Sequence, residues 1–436
     1  MPAFANGHDH VRGVPPTALA AFDLPLELWL AQMSGPPACD PFLIAAAALG
    51  RQALSGCGSI MVHYTRPQDP TRIVEELKVV AGAARAVGVR VAIAPALRDI
   101  NALGYAVDEQ VLARLPPTAR AAIEERLLSR PPGSPAEQVR LVDEVALQLE
   151  GPLVDVQYGP YGPEWCSDAL LTAVAEASGR NGRRVHMHLM ESKVQREYLD
   201  ARYPDGPLRF LDSIGLLSPR LSIAHAVWLR PDEMDLLAER GVSVSINTSS
   251  NLGLRNGMAP VAELYRRGVP LAQGLDGFSV DDDDDAFREL RLNYMLHRGT
   301  GFEEGVPLAA LFHAACHGGR RIVTGDAGVQ TLLQAGAPAD FMVLDRAALA
   351  QDLVLEVDDE MLVALRATKA SLRHLFVDGR EVVRDGVLQG LDLPGLQAEL
   401  MAQVRHGAPA YRDWRQVTAA WAGTLREVYM GGLHRR

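Results

Sequence analysis

The chain has 436 residues, 48% hydrophobic and 22% charged, a globular composition that excludes extended disorder, collagen-like repeats and a disulfide-framed miniprotein. Its 43 basic and 54 acidic residues give a formal charge of −11. That sign disfavours a broad electrostatic grip on nucleic acid or anionic lipid, so a small-molecule partner is expected. Cys39, Cys57, Cys166 and Cys316 are scattered with no CxxC pair, which suits a reducing cytoplasm. No signal-peptide pattern and no apolar run of about 20 residues is present, so neither secretion nor membrane spanning is expected.

Short apolar or β-branched runs alternate with segments of helical period. The pattern predicts strands at 2–6, 59–64, 89–95, 153–158, 184–189, 221–226, 242–247 and 269–274. Between them, Thr71 opens a helical stretch that Gly88 stops, Ser167 precedes another, and Pro231 begins one halted by Gly241. Repeated strand–helix units imply parallel strands joined by crossovers, an α/β fold of the (β/α)8 TIM-barrel type. The barrel is expected over 1–322, with an insertion near 97–151 forming a lid or substrate wall. Residues 323–408, with turns such as Asp378-Gly379, read as a small β-rich domain, and 409–436, with Trp414, Trp421 and Tyr429, as a helical extension. The acidic run at 281–285 reads as a helix N-terminus rather than a calcium loop.

Active sites of such barrels lie at the C-terminal strand ends. Here the first strand runs into Gly7-His8-Asp9-His10, the fifth carries His186 and His188 with Glu191 close behind, the sixth ends at His225 and the eighth leads to Asp276. Residues two apart in extended chain share a face, so His8 and His10 can approach one cation together. Imidazoles with a carboxylate suit Zn²⁺ or Fe²⁺. One strand-end histidine is most often a satisfied polar group; four polar strand ends in order are not so easily dismissed.

This ordered pattern resembles the amidohydrolase superfamily, in the branch of metal-dependent hydrolases that holds cytosine, guanine and adenosylhomocysteine deaminases and the triazine hydrolases. GHDH, HMHLMES, AHAVWL, SINTSSNLGLRNGMAP and GLDG carry the resemblance, and AGAPADFMVLD is similar to the C-terminal half of the composite β-sandwich. The resemblance implies His8, His10, His188 and Asp276 as metal ligands and Glu191 as the proton shuttle. It implies His225 either as a further ligand or as a group polarising the substrate. The fourth strand's end, VDVQYGPYGPEWC, has no lysine for a carbamate bridging two metals, so one divalent ion is expected, zinc ahead of iron. Family members carry several strands before the HxH motif; only seven residues precede His8 here, so the expectation is either a start methionine set too far downstream or an incomplete sandwich with open sheet edges. A homo-oligomer is implied by the resemblance alone.

The implied reaction is hydrolytic deamination of an amino-substituted N-heterocycle through a metal-activated water. Asp276 takes a water proton, Glu191 delivers one to the ring or the departing amine, and His225 stabilises oxygen charge. The same groups suit hydrolysis of a cyclic amide or removal of an alkylamine substituent. A non-catalytic binding or assembly barrel is a third reading, disfavoured by the full set of ligands. Arg12, His63, Arg98, Tyr161 and His186 are candidate substrate-binding residues, with other readings beside them: solvated or loop-bound arginines, loop packing, and for His186 a place behind the ligands or among them. Tyr64, Asp99, Gln157 and Trp165 flank the same strand ends. Asn247 and the Ser249-Ser250-Asn251 segment read as turn residues.

Overall fold

The alternating pattern folds as parallel strands crossed over by helices. The structure, a computed structural model, describes residues 1–277, 283–326 and 333–435. Strands β1 (Phe4–Asp9), β2 (Cys57–Tyr64), β3 (Arg90–Leu97) and β4 (Val154–Val156) pair in that order, with β5 (Gly159–Pro160) alongside β3. Strands β6 (Val185–Leu189), β7 (Leu221–His225), β8 (Ser243–Ile246) and β9 (Leu271–Gln273) form a second parallel set. Two seams close the ring. At one, Tyr158 bridges to Val185; at the other, Asp276 N donates to His8 O at 3.0 Å. With β4 and β5 as two pieces of one stave, this is a (β/α)8 barrel.

The helix punctuation works as its chemistry dictates. Helix Ile73–Val87 ends at Gly88 with φ +92°, helix Asp168–Asn181 is capped by Ser167 Oγ accepting from Leu170 N at 3.1 Å, and helix Pro231–Arg240 ends at left-handed Gly241. Asp285 caps helix Ala286–His297, accepting from Phe287 N at 3.0 Å. Asp281 and Asp282 lie outside the described residues.

Tertiary packing shifts several boundaries. Strand β1 reaches Asp9 because pairing with β2 holds polar Gly7-His8-Asp9 in extended form. The fourth predicted strand breaks after Val156. Helix Pro135–Leu149 packs on Ile73–Val87 and Asp168–Asn181 as the β3–β4 crossover, so the true insertion precedes it. The terminal helix spans Leu393–Met430 through Pro409 rather than starting near 409; apolar Leu400, Val404, Tyr411 and Trp414 bury on both sides of the proline and outweigh its missing N–H.

Beyond the barrel, strands β10 (Gly299–Thr300) and β11 (Glu303–Glu304) make a hairpin. Strands β12 (Phe341–Leu344), β13 (Leu372–Val377), β14 (Arg380–Arg384) and β15 (Val387–Leu388) make an antiparallel sheet in that order. Its β12 edge, expected to be open, is paired: Met342 N donates to Met1 O at 2.9 Å, Ala3 N to Asp340 O at 3.2 Å, and Pro2 bridges Phe341. Buried Asp340 joins sheet to barrel, accepting from Arg90 at 3.0 Å, from Arg320, and from Asp378 N at 2.6 Å. Asp340→Ala strands two largely buried guanidinium groups and is expected to cost about 3–5 kcal/mol, read as a lowered unfolding free energy in denaturant titration.

Candidate metal centre and active site

The strand ends turn sharply inward. Val11, Met190, His225 and Asp276 have left-handed backbone, with φ of 53°, 54°, 77° and 55°, strained for residues with a Cβ and concentrated where side chains must converge. Asp276 Oδ1 lies 3.1 Å from His10 Nε2 and 3.4 Å from His8 Nε2, and His188 Nε2 lies 3.3 Å from His10 Nε2. His8, His10 and His188 form one group of converging ligand atoms, and His8, His225 and Asp276 another, each within 4.8 Å.

The outward nitrogens decide what the inward ones are. His10 Nδ1 faces His63 O at 2.8 Å and His188 Nδ1 faces Tyr161 O at 2.7 Å. A carbonyl only accepts, so both rings carry their proton on Nδ1 and both Nε2 atoms are bare lone pairs. Burial drives the same rings below the usual imidazole pKa, His8 to about 3 and His225 to about 4, so they stay neutral. The Nε2···Nε2 approach of His10 and His188 is therefore no hydrogen bond, and the Asp276 contacts are no ion pairs. Buried His8 Nε2, His225 Nε2 and Asp276 Oδ1 have no hydrogen-bond partner. Neutral imidazoles with inward lone pairs around one carboxylate fit a divalent cation.

A second layer fixes these orientations. His8 Nδ1 lies 2.7 Å from His186 Nε2, His186 Nδ1 lies 2.7 Å from Ser222 Oγ, and Ser222 Oγ lies 3.3 Å from Val185 O. Ser222 Oγ donates to the Val185 carbonyl, His186 Nδ1 donates to Ser222 Oγ and His8 Nδ1 donates to His186 Nε2, so His8 keeps Nε2 free and His186 supports His8 rather than facing the cavity. His225 Nδ1 is 2.9 Å from Asn251 Oδ1, and Ser250 Oγ donates to Asp276 Oδ2 at 2.5 Å. Asn251 and Ser250, read from sequence as turn formers, thus hold two central side chains. Their position directly after β8 is the signal that marks them.

Glu191 stands beside this group, with Oε2 3.6 Å from His225 Nε2 and Oε1 accepting from Asn256 Nδ2 at 3.0 Å. Burial, reinforced by Asp276, Glu164 and Glu27, pushes its carboxyl well above the ordinary range. Trp29, Leu26, Leu30, Tyr161, Trp165, Leu254 and Arg12 line a cavity of about 20 Å³ in front of these atoms. That holds a water but no ring, so a substrate must displace side chains to enter.

The other sequence candidates separate. Tyr161 and Arg12 reach the cavity, with Arg12 donating to Asp276 O at 2.5 Å. His63 is buried behind the cluster, stacked on His188 with ring centroids 4.8 Å apart. Arg98 is exposed, its main chain bonded to Gln138, and Asp99 is engaged by Ser167. Tyr64 donates to Glu76, and Gln157 to Ile322 O. Trp29 and Asn256 went unread; each lies in a loop or short helix whose position only the fold determines.

A family model for the amidohydrolase family matches residues 1–387. The chain belongs to the amidohydrolase family. It is a hydrolase acting on C–N bonds. It is 29% identical over 404 residues to 5'-deoxyadenosine deaminase of Methanothermobacter thermautotrophicus, covering 90% of this chain and 83% of the relative. It is 29% identical over 412 residues to 5-methylthioadenosine/S-adenosylhomocysteine deaminase of Syntrophobacter fumaroxidans, covering 93% and 84%. A zinc-bound adenosine deaminase structure from Xanthomonas campestris shares the fold, with a TM-score of 0.74, 24% identity, and coverage of 95% and 86%. No helix among the described residues is long and apolar enough to cross a membrane.

Because His186 sets the proton position on His8, His186→Phe is expected to weaken metal affinity about 10–100-fold, measured by competition with a chromophoric chelator.

Proposed function

We propose that this amidohydrolase deaminates an amino-substituted nitrogen heterocycle hydrolytically, with an adenine nucleoside as the first class to test. The observation that carries the reading is the bare, inward lone pairs of His8, His10 and His188 beside Asp276, with a protonated Glu191 across from them. His8, His10, His188 and Asp276 would hold one divalent ion, zinc ahead of iron for a set this rich in imidazole. His225 joins them, its Nδ1 held by Asn251 and Asn247 and its Nε2 left without a hydrogen-bond partner among the described residues. A cation bound there supplies a water acidified to near neutrality.

The chain's own residues supply the rest. Asp276 takes the proton that the attacking water releases as it adds to the amino-bearing carbon. Glu191, kept neutral by burial and steadied by Asn256, gives its proton to the adjacent ring nitrogen. Ammonia then leaves with the proton held on Asp276, the added hydroxyl gives its own proton to the now ionised Glu191, and the ring keeps a carbonyl. Trp29, Trp165 and Tyr161 present aromatic surface to a planar ring and exclude water around it. Four free, buried cysteines support a cytoplasmic setting.

Metal-loaded protein is expected to release ammonia stoichiometrically from at least one purine, pterin, pyrimidine or triazine amine. Ring opening or alkylamine release would instead indicate the cyclic-amide or substituent hydrolase. Glu191→Gln should retain the metal and lower kcat by about 10²–10⁴-fold; near-normal turnover would remove Glu191 from the scheme.

A further inference from the structure

Three neighbouring strands leave the barrel towards an arginine: Arg12 after β1, Arg66 after β2 and Arg98 after β3. Carboxylates on this arc are engaged elsewhere, Asp99 by Ser167, Glu76 by Tyr64 and the Gln68 and Asp69 amides, and Glu27 by Ser192. Among the described residues Arg66 and Arg98 have no ion pair, and Arg12 meets only Asp276, at 3.7 Å.

Arg66 is the most telling of the three. It is half-buried, donates to Met33 O at 2.7 Å, and lies 5.6 Å from the centroid of the Trp29 ring. Arg12 lies 5.0 Å from the same ring and lines the cavity. Neither a carbonyl nor a ring face neutralises a guanidinium, and burial together with Arg12 and Arg98 lowers Arg66 to about 10. Arg12 adds an unmet need of its own: NH1 is held by the carbonyls of Asp276 and Gly277, but its buried Nε has no partner. Two like charges beside one tryptophan, with an ion pair for Arg12 alone, oppose stability unless something else answers Arg66.

We propose that Arg66 and Arg12 form a subsite for an oxyanion substituent, a carboxylate in the first instance, on the heterocyclic substrate. The anionic end lies beside Trp29, and the amino-bearing carbon points towards Asp276 and Glu191. The proposal rests on the deaminase reading above and narrows its substrates to anionic heterocycles. The planar fork of arginine suits such a group better than an ammonium does.

Matched substrates differing by one charge test it: adenosine against adenosine 5'-carboxylate, and pterin against 6-carboxypterin, with the metal-loaded enzyme. The acid of a pair that is turned over is expected to have the higher kcat/KM by at least about tenfold. That preference should shrink at least about tenfold in Arg66→Gln and survive in part in Arg66→Lys, which keeps the charge but not the fork. No preference in the wild type, or an equal loss on both members in Arg66→Gln, overturns the subsite. Failure to turn over any member counts against the deaminase reading, and the subsite is then read from calorimetry with adenosine 5'-carboxylate. Binding weakened about tenfold or more in Arg66→Gln supports it, and equal affinity, or no detectable binding to the wild type, overturns it.

Discussion

Two imidazole nitrogens whose protons both point away cannot rest 3.3 Å apart for any reason of their own. Lone pairs repel, and a buried carboxylate oxygen beside them, without a donor, adds to the repulsion. A divalent cation would turn all of these costs into attraction. The carbonyls of His63 and Tyr161 impose the proton positions on His10 and His188, the His186–Ser222 relay does so for His8, and Asn251 and Asn247 hold the His225 ring. The left-handed turns at Val11, Met190, His225 and Asp276 belong to the same constraint, because they bring side chains of separate strands to one point. Glu191 then needs no special chemistry: a carboxyl in a dry cavity beside another carboxylate stays protonated.

The convergence of His8, His10 and His188 is legible in the sequence because its signal is local. A period of two places His8 beside His10, strand ends recur after each helix, and polar residues at those ends stand out against apolar strands. The barrel was legible for the same reason. What orients the ligands was not, since Ser222, Ser250 and Asn251 act across strands that lie far apart along the chain, and a serine that will reach Asp276 looks like any serine in a turn. The edge pairing of residues 1–3 and the passage of the terminal helix through Pro409 likewise depend on what packs against them. Arg66 is invisible until Met33 and Trp29 are seen beside it.

The cavity's cover is built from sequence extremes. Helix Leu26–Gln32, which brings Trp29 over the site, lies under the terminal helix. Tyr411 and Arg415 donate to Gln32 O at 3.1 and 3.0 Å, and Trp414 donates to Ser34 O at 2.9 Å. On the inserted side, Trp421 donates to Leu103 O at 3.0 Å and Tyr105 N to Tyr429 OH at 3.0 Å. Most of these hydrogen bonds engage aromatic side chains at the edge of an apolar cluster, so they fix the cover's position while burial supplies its adhesion.

That arrangement sets an order on folding. The strands that bring His8 and Asp276 together close within the barrel, whereas the helix that seats Trp29 is held through contacts of still longer sequence separation, which form slowly. The chamber is therefore sealed late, over a barrel that has already closed.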